Sequence, residues 1–142
     1  MVTYKIAVSD CELEGAFEVR KQVFVEEQGI SEDLELDEHD MEAMHMVVKD
    51  GERIVGTARV LFLAASQAKL ERMAILKLFR HRGIGKGIIS FLDEEFTNRG
   101  IEQVVLHAQY SAVNFYKSCG FEESGSPFWE AGIKHVKMQK RL

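Results

Sequence analysis

The chain has 142 residues, 46% apolar and 29% charged, which suits one soluble globular domain spanning residues 1–142 and leaves too little length for two cores. Eighteen Lys and Arg against 23 Asp and Glu give a net charge of −5, which argues against a broad surface for nucleic acid or anionic membrane. A single proline and two distant cysteines, Cys11 and Cys119, argue against a flexible linker, a disulfide scaffold and a cysteine-zinc cluster, so reduced thiols are expected.

The start of the chain, Met1 to Ile6, leads into Asp10, Glu12 and Glu14 without an apolar stretch of signal-peptide length. The longest apolar run, Val60 to Ala65, falls far short of the ~20 residues a membrane-spanning helix needs. A cytoplasmic protein is the expectation. Thr3 to Val8 alternates like a first strand. Ser9 and Glu12 then have the spacing of a capping box, and Leu13, Ala16, Phe17, Val23 and Phe24 recur at helical intervals to about Gln28.

Between Glu26 and Glu42 there are nine acids and no Lys or Arg, which reads either as a solvated loop or as an acidic rim that attracts a cationic substrate. His45 to Lys49 and Arg53 to Leu63 form an antiparallel pair turning at Asp50-Gly51. Lys69 to Ile75 is a strand, Leu76 to Arg82 a loop, and Gly83 to about Asn98 a helix with Ile84, Ile88, Phe91, Leu92 and Phe96 on one face. Gly100 suits the left-handed position that ends it. Ile101 to His107 is a further strand, Ser111 caps a short helix closed by Gly120, and a strand pair ending in Ile133, Val136 and Met138 finishes a mixed α/β order.

The chemistry concentrates in Arg80-His81-Arg82-Gly83-Ile84-Gly85-Lys86-Gly87, where a strand gives way to a helix. Glycines there let a ligand approach the backbone, and the helix start offers free N–H groups and about half a positive charge to an anion. Five Lys or Arg and no acid lie between Arg72 and Leu92. A dinucleotide fingerprint from Gly83 fails because Ile88 stands where glycine is required, and a P-loop fails because Arg80 and Gly87 are the wrong types.

The segment Arg80-x-x-Gly83-x-Gly85, preceded by Leu70-Glu71-Arg72-Met73-Ala74-Ile75, resembles the pyrophosphate loop and central strand of the GNAT superfamily of acyl-CoA-dependent N-acetyltransferases. Gln109, Ala112, Asn114, Phe115, Tyr116 and Gly120-Phe121 resemble that family's second signature, with Gln109 replacing the usual Asn. Arg20 to His45 and Gly132-Ile133-Lys134-His135 are similar to the small bacterial ElaA/YjcF-like branch. The resemblance implies a mixed sheet with helices on both faces, its central strands splayed into a V-shaped slot.

It further implies transfer of acetyl from acetyl-CoA to a primary amine by direct attack in a ternary complex. No His/Cys/Asp cluster has metal-ligand spacing, so no metal is expected, and a monomer and a homodimer are both open. Cofactor contacts are then expected at Met73, Ala74, Ile75, Arg80, His81, Arg82, Gly83, Ile84, Gly85, Lys86, Gly87, Gln109, Asn114 and Tyr116. Tyr116 takes the place of the acid that protonates the departing thiolate, for which a phenol titrating near 10 is suited. Glu71 leads the candidates for general base, with His45, His107, His135 and Glu27 as rivals. The acceptor, a small-molecule or peptide amine of cationic character, is expected against Glu27, Gln28, Glu35, Asp37, His45 and His135. A CoA-binding sensor without turnover is the alternative from another class. Cys119 as an acyl carrier is disfavoured because no base is predicted beside it.

Overall fold

Strand β1 (Val2–Ile6) stops short because Ser9 begins helix α1 (Asp10–Arg20): its side chain accepts from the Glu12 N–H, and the Glu12 carboxylate accepts from the N–H groups of Val8 and Ser9. The computed structural model describes residues 1–142. The expected helix does continue beyond Arg20, but as a π-helical stretch, Lys21–Glu27, which buries the adjacent Val23 and Phe24 together. After it the acidic run folds into a one-turn helix α2 (Glu32–Glu35) and a 3₁₀ turn (Glu38–Met41), so it is neither an open loop nor a free rim.

The remaining elements are β2 (Met44–Asp50), β3 (Arg53–Ala64), β4 (Gln67–Ile75), α3 (Ile84–Asn98), β5 (Gln103–Gln109), α4 (Val113–Ser118), β6 (Glu122–Glu123), β7 (Phe128–Glu130) and β8 (Ile133–Arg141). All eight strands join one sheet in the order β1-β2-β3-β4-β5-β8-β6, with β7 also paired to β8. Pairing is antiparallel except between β4 and β5. This is the mixed α/β sheet with helices on both faces that the sequence implies.

Alternation assigns the two faces. Met46, Ala58, Val60, Leu70, Val104, Leu106, Ala108, Val136 and Met138 are buried in one core cluster with Ile88, Leu92 and Phe96 of α3. His45, Arg59, Glu71 and His107 hold the alternate positions and so share the opposite face, on the side of α1. Burying a Leu or Phe of the cluster contributes about 1.5–3 kcal/mol each. Helix α4 follows a 3₁₀ turn at Tyr110–Ala112 with no side-chain cap, where a Ser111 cap was expected. It ends as expected at Gly120, φ +94°, with Phe121 N–H donating to the Tyr116 carbonyl and Gly120 N–H to that of Lys117.

Candidate active site

The parallel ladder between β4 and β5 runs only from Gln67 opposite Gln103 to Leu70 opposite Leu106. Beyond it, β5 stays paired to β8 and β4 to β3, so the backbone of Glu71 to Ile75 presents an edge toward β5 with no strand on it. A bulge drives this divergence: Ala58 alone faces Arg72 and Met73, and Arg72 takes φ +52°. The separated ends open a cleft of about 1020 Å³, large enough for a ligand of cofactor size. Three residues other than glycine have positive φ, Arg72, His81 and Ala131, and all three line this cleft. Strain of this kind costs of order 1–3 kcal/mol per residue and concentrates where a site dictates the backbone.

One end of the cleft is the turn into α3. Gly83 occupies the N-cap position at φ +80° with open space where a side chain would stand, and no side chain caps the helix. The first N–H groups of α3 are therefore free for an anion, with Lys86 and Arg80 beside them. A diphosphate fits this donor set, and an extended amide-bearing arm fits the bare edge of β4. The three glycines differ in role: a Cβ on Gly85 would lie 2.9 Å from the Phe115 ring, and one on Gly87 would lie 2.0 Å from the Tyr4 hydroxyl. Gly87 thus permits α3 to sit against β1.

Arg80 already has partners. Its Nε donates to the Ile75 carbonyl at 2.9 Å, and its two terminal nitrogens hold the Glu27 carboxylate at 2.6 and 2.8 Å. This hydrogen-bonded cation keeps the Glu27 carboxyl below the usual range. Nearby, the Gln109 amide donates to the Gln28 side chain at 2.8 Å, tying β5 to the segment after the π-helix.

Tyr116 lines the cleft from α4, its ring edge-on to Phe115 and Phe121 at 5.1 and 5.8 Å. Burial, followed by the neighbouring Cys119, pushes its phenol well above the usual tyrosine range, so it stays protonated at neutral pH. On the far side of the sheet, Glu35, Asp37, Asp40 and Glu71 form one network with Arg20, Arg59, Arg72 and Lys69. Arg20 and Arg59 are buried, and Arg59 reaches Asp37, Asp40 and Glu71 at 2.6, 3.0 and 2.8 Å. Burial alone would raise the Glu71 carboxyl, but Arg59 and Lys69 outweigh it and hold it below the usual range. The acidic run is therefore largely neutralised from within where it meets the cleft.

Most of the expected site residues converge. Glu71, Met73, Ala74, Ile75, Arg80, His81, Gly83, Ile84, Gly85, Lys86, Gln109 and Tyr116 line the cleft, and so do Gln28, Glu35, Asp37 and His135. Arg82, Gly87, Asn114, Glu27 and His45 stand outside its lining: Arg82 lies over the Phe79 ring, Asn114 is exposed, and Glu27 holds Arg80. His45 is buried on β2, bonded through Nε2 to the Asp40 carbonyl. Sequence reasoning missed Glu130 and Ala131, which the β7–β8 hairpin brings to the wall; no local signal marks them.

Comparison with known proteins places this geometry. The profile of the Acetyltransferase (GNAT) domain matches residues 7–142. The uncharacterised N-acetyltransferase YjcF of Bacillus subtilis is 40% identical over 136 residues, covering 95% of this chain and 96% of that protein. A crystal structure from Lactobacillus plantarum superposes with a TM-score of 0.93 at 29% identity, covering 99% and 98% of the two chains. Escherichia coli ElaA shares the fold with a TM-score of 0.88 at 24% identity, covering 99% of each chain. No helix is long and apolar enough to cross a membrane.

Proposed function

The chain belongs to the GNAT acetyltransferase family, and from that premise we propose that it passes an acetyl group from acetyl-CoA to a primary amine by direct attack in a ternary complex. The observation that carries the proposal is the bare edge of β4 from Glu71 to Ile75, flanked by the uncapped, glycine-led start of α3 and by Tyr116. Acetyl-CoA supplies the activated thioester. Lys86, Arg80 and the first N–H groups of α3 hold its diphosphate, and the main chain of Met73, Ala74 and Ile75 pairs with its amide-bearing arm. A free N–H of that stretch stabilises the charge developing on the carbonyl oxygen.

The amine must lose a proton before it attacks. Its nitrogen then bonds to the carbonyl carbon, the carbon–sulfur bond breaks, and Tyr116 gives its phenolic proton to the sulfur. The second nitrogen proton restores the phenol, so each turnover of an ammonium substrate releases one proton to solvent. Glu71 is a poor acceptor for the first proton, because Arg59 and Lys69 favour its charged form. We assign Glu71, Glu35 and Asp37 to holding the buried arginines, and His135 and Gln28 to the acceptor end of the cleft.

The test is release of CoA thiol from acetyl-CoA in the presence of amino acids, polyamines, aminoglycosides and peptides, with the acetylated amine identified by mass. Amine-dependent release stoichiometric with acetylated product is expected. Tight acetyl-CoA binding without turnover on the whole panel would overturn transfer in favour of a sensor.

A further inference from the structure

Resting on that acetyl-transfer reading, we propose that His107 is the general base that deprotonates the acceptor amine and that Glu130 is its positioning residue. Glu130 Oε1 lies 3.1 Å from His107 Nδ1. A carboxylate only accepts hydrogen bonds, so the proton of the neutral ring sits on Nδ1 and the lone pair is left on Nε2. Both residues line the cleft.

The ring is held on a second side as well. Phe128 packs edge-on against His107 with centroids 5.0 Å apart, and the same Phe128 stacks on His135 at 6.0 Å. His135 Nδ1 donates to the Ile133 carbonyl at 2.7 Å, and its Nε2 lies 3.8 Å from Glu130 Oε2. The tight β7–β8 hairpin brings Glu130 to the cleft wall: Glu130 pairs with Ile133 across a two-residue turn in which Ala131 takes φ +52° and Gly132 φ +74°. A non-glycine residue in that conformation is a strain the hairpin maintains beside the cleft.

Placement supports the role. Leu106 and Ala108 are buried on the α3 side of the sheet, so His107 between them faces the opposite side, away from the diphosphate-binding helix start. An amine that meets the thioester from the side opposite the cofactor's entrance passes this imidazole. The charged and titratable groups around it are Glu130 from β7, His135 and the cross-strand Lys137 from β8, and Glu71 and Lys69 from β4. Of these, Glu71 and Lys69 are engaged in the arginine network, which leaves Glu130 as the carboxylate within hydrogen-bond reach of the His107 ring.

The test is the pH dependence of CoA release, with the fastest amine of the panel, for wild type, His107→Gln, Glu130→Gln and Glu130→Asp, alongside the kcat and amine KM of each and the melting shift that acetyl-CoA gives it. His107→Gln is expected to lower turnover by roughly 10²-fold and to abolish the acid limb of the profile. Glu130→Gln is expected to lower kcat with little change in the amine KM, because the ring it orients is released, and Glu130→Asp to recover part of that loss; all three variants keep the acetyl-CoA shift. A His107→Gln protein with wild-type turnover and an unmoved limb overturns the assignment and leaves acetyl transfer standing. Wild-type protein that binds acetyl-CoA and turns over no amine overturns the transfer reading, and this assignment with it.

Discussion

Arg80 and Glu27, 53 residues apart, meet in a two-pronged ion pair at 2.6 and 2.8 Å beside the start of α3. The cation suited to a diphosphate is thus held by a carboxylate of the same chain. Both side chains are about a third exposed, so the pair contributes at most about 1 kcal/mol. Glu27→Gln should free Arg80 and tighten acetyl-CoA binding by roughly two- to fivefold at low salt. Arg80→Ala should weaken binding by about 10–100-fold, through loss of charge-assisted hydrogen bonds. Titration calorimetry at two salt concentrations checks both; unchanged affinity in Arg80→Ala would remove the loop from the cofactor site.

Tyr116 is protonated at neutral pH because burial disfavours its anion. Tyr116→Phe keeps the ring contacts with Phe115 and Phe121 and removes only the acid. It should bind acetyl-CoA as the wild type does and turn over roughly 10²-fold more slowly. Wild-type turnover in this variant, under conditions where chemistry limits the rate, would take Tyr116 out of the mechanism.

Asp40 gives the fold an acid dependence. Burial pushes its carboxyl up, but Arg20, the Asp37 N–H and Arg59 outweigh burial and hold it at about 2. A depressed carboxyl stabilises the folded state fully above its unfolded value near 4, and that stability fades as pH falls toward 2. The contribution is on the order of 2 kcal/mol. Urea unfolding from pH 7 to pH 2 should show stability declining through this window, and Asp40→Asn should lower stability at pH 7 while flattening the decline. An equally steep decline in the variant would place the acid sensitivity elsewhere.

Gly83 and Gly87 separate cofactor binding from packing. Gly87→Ala drives a Cβ to within 2.0 Å of the Tyr4 hydroxyl. It should destabilise the protein by about 1–3 kcal/mol through overpacking. Gly83→Ala meets no atom but is strained at φ +80°. It should cost about 1 kcal/mol and also weaken acetyl-CoA, since its methyl stands in the space beside the free N–H groups. Melting curves with and without acetyl-CoA distinguish the two.

The legible parts of the sequence are those whose partners lie close along the chain. The Ser9–Glu12 capping box, the Gly83 start of α3 and the Gly120 end of α4 each depend on a few neighbouring residues, and all are found as read. The acidic run was ambiguous because its cations, Arg20, Arg59 and Arg72, come from α1, β3 and β4, and only the folded sheet brings them together. Gly87 read as part of the anion loop because Tyr4, the residue that needs its missing side chain, is at the other end of the sequence. The bulge at Arg72, the π-helical widening after Arg20 and the His107–Glu130 pair depend on strand register and packing, which spacing alone does not encode.

The central claim, that the cleft between β4 and β5 binds acetyl-CoA, is tested most directly by the melting temperature of the protein in saturating acetyl-CoA. At 100 times its dissociation constant the ligand adds about 2.7 kcal/mol, which for a chain of this size raises the midpoint by roughly 5–10 °C. That rise, reduced in Arg80→Ala and Gly83→Ala, is the predicted result. A midpoint unmoved by saturating acetyl-CoA would contradict the account.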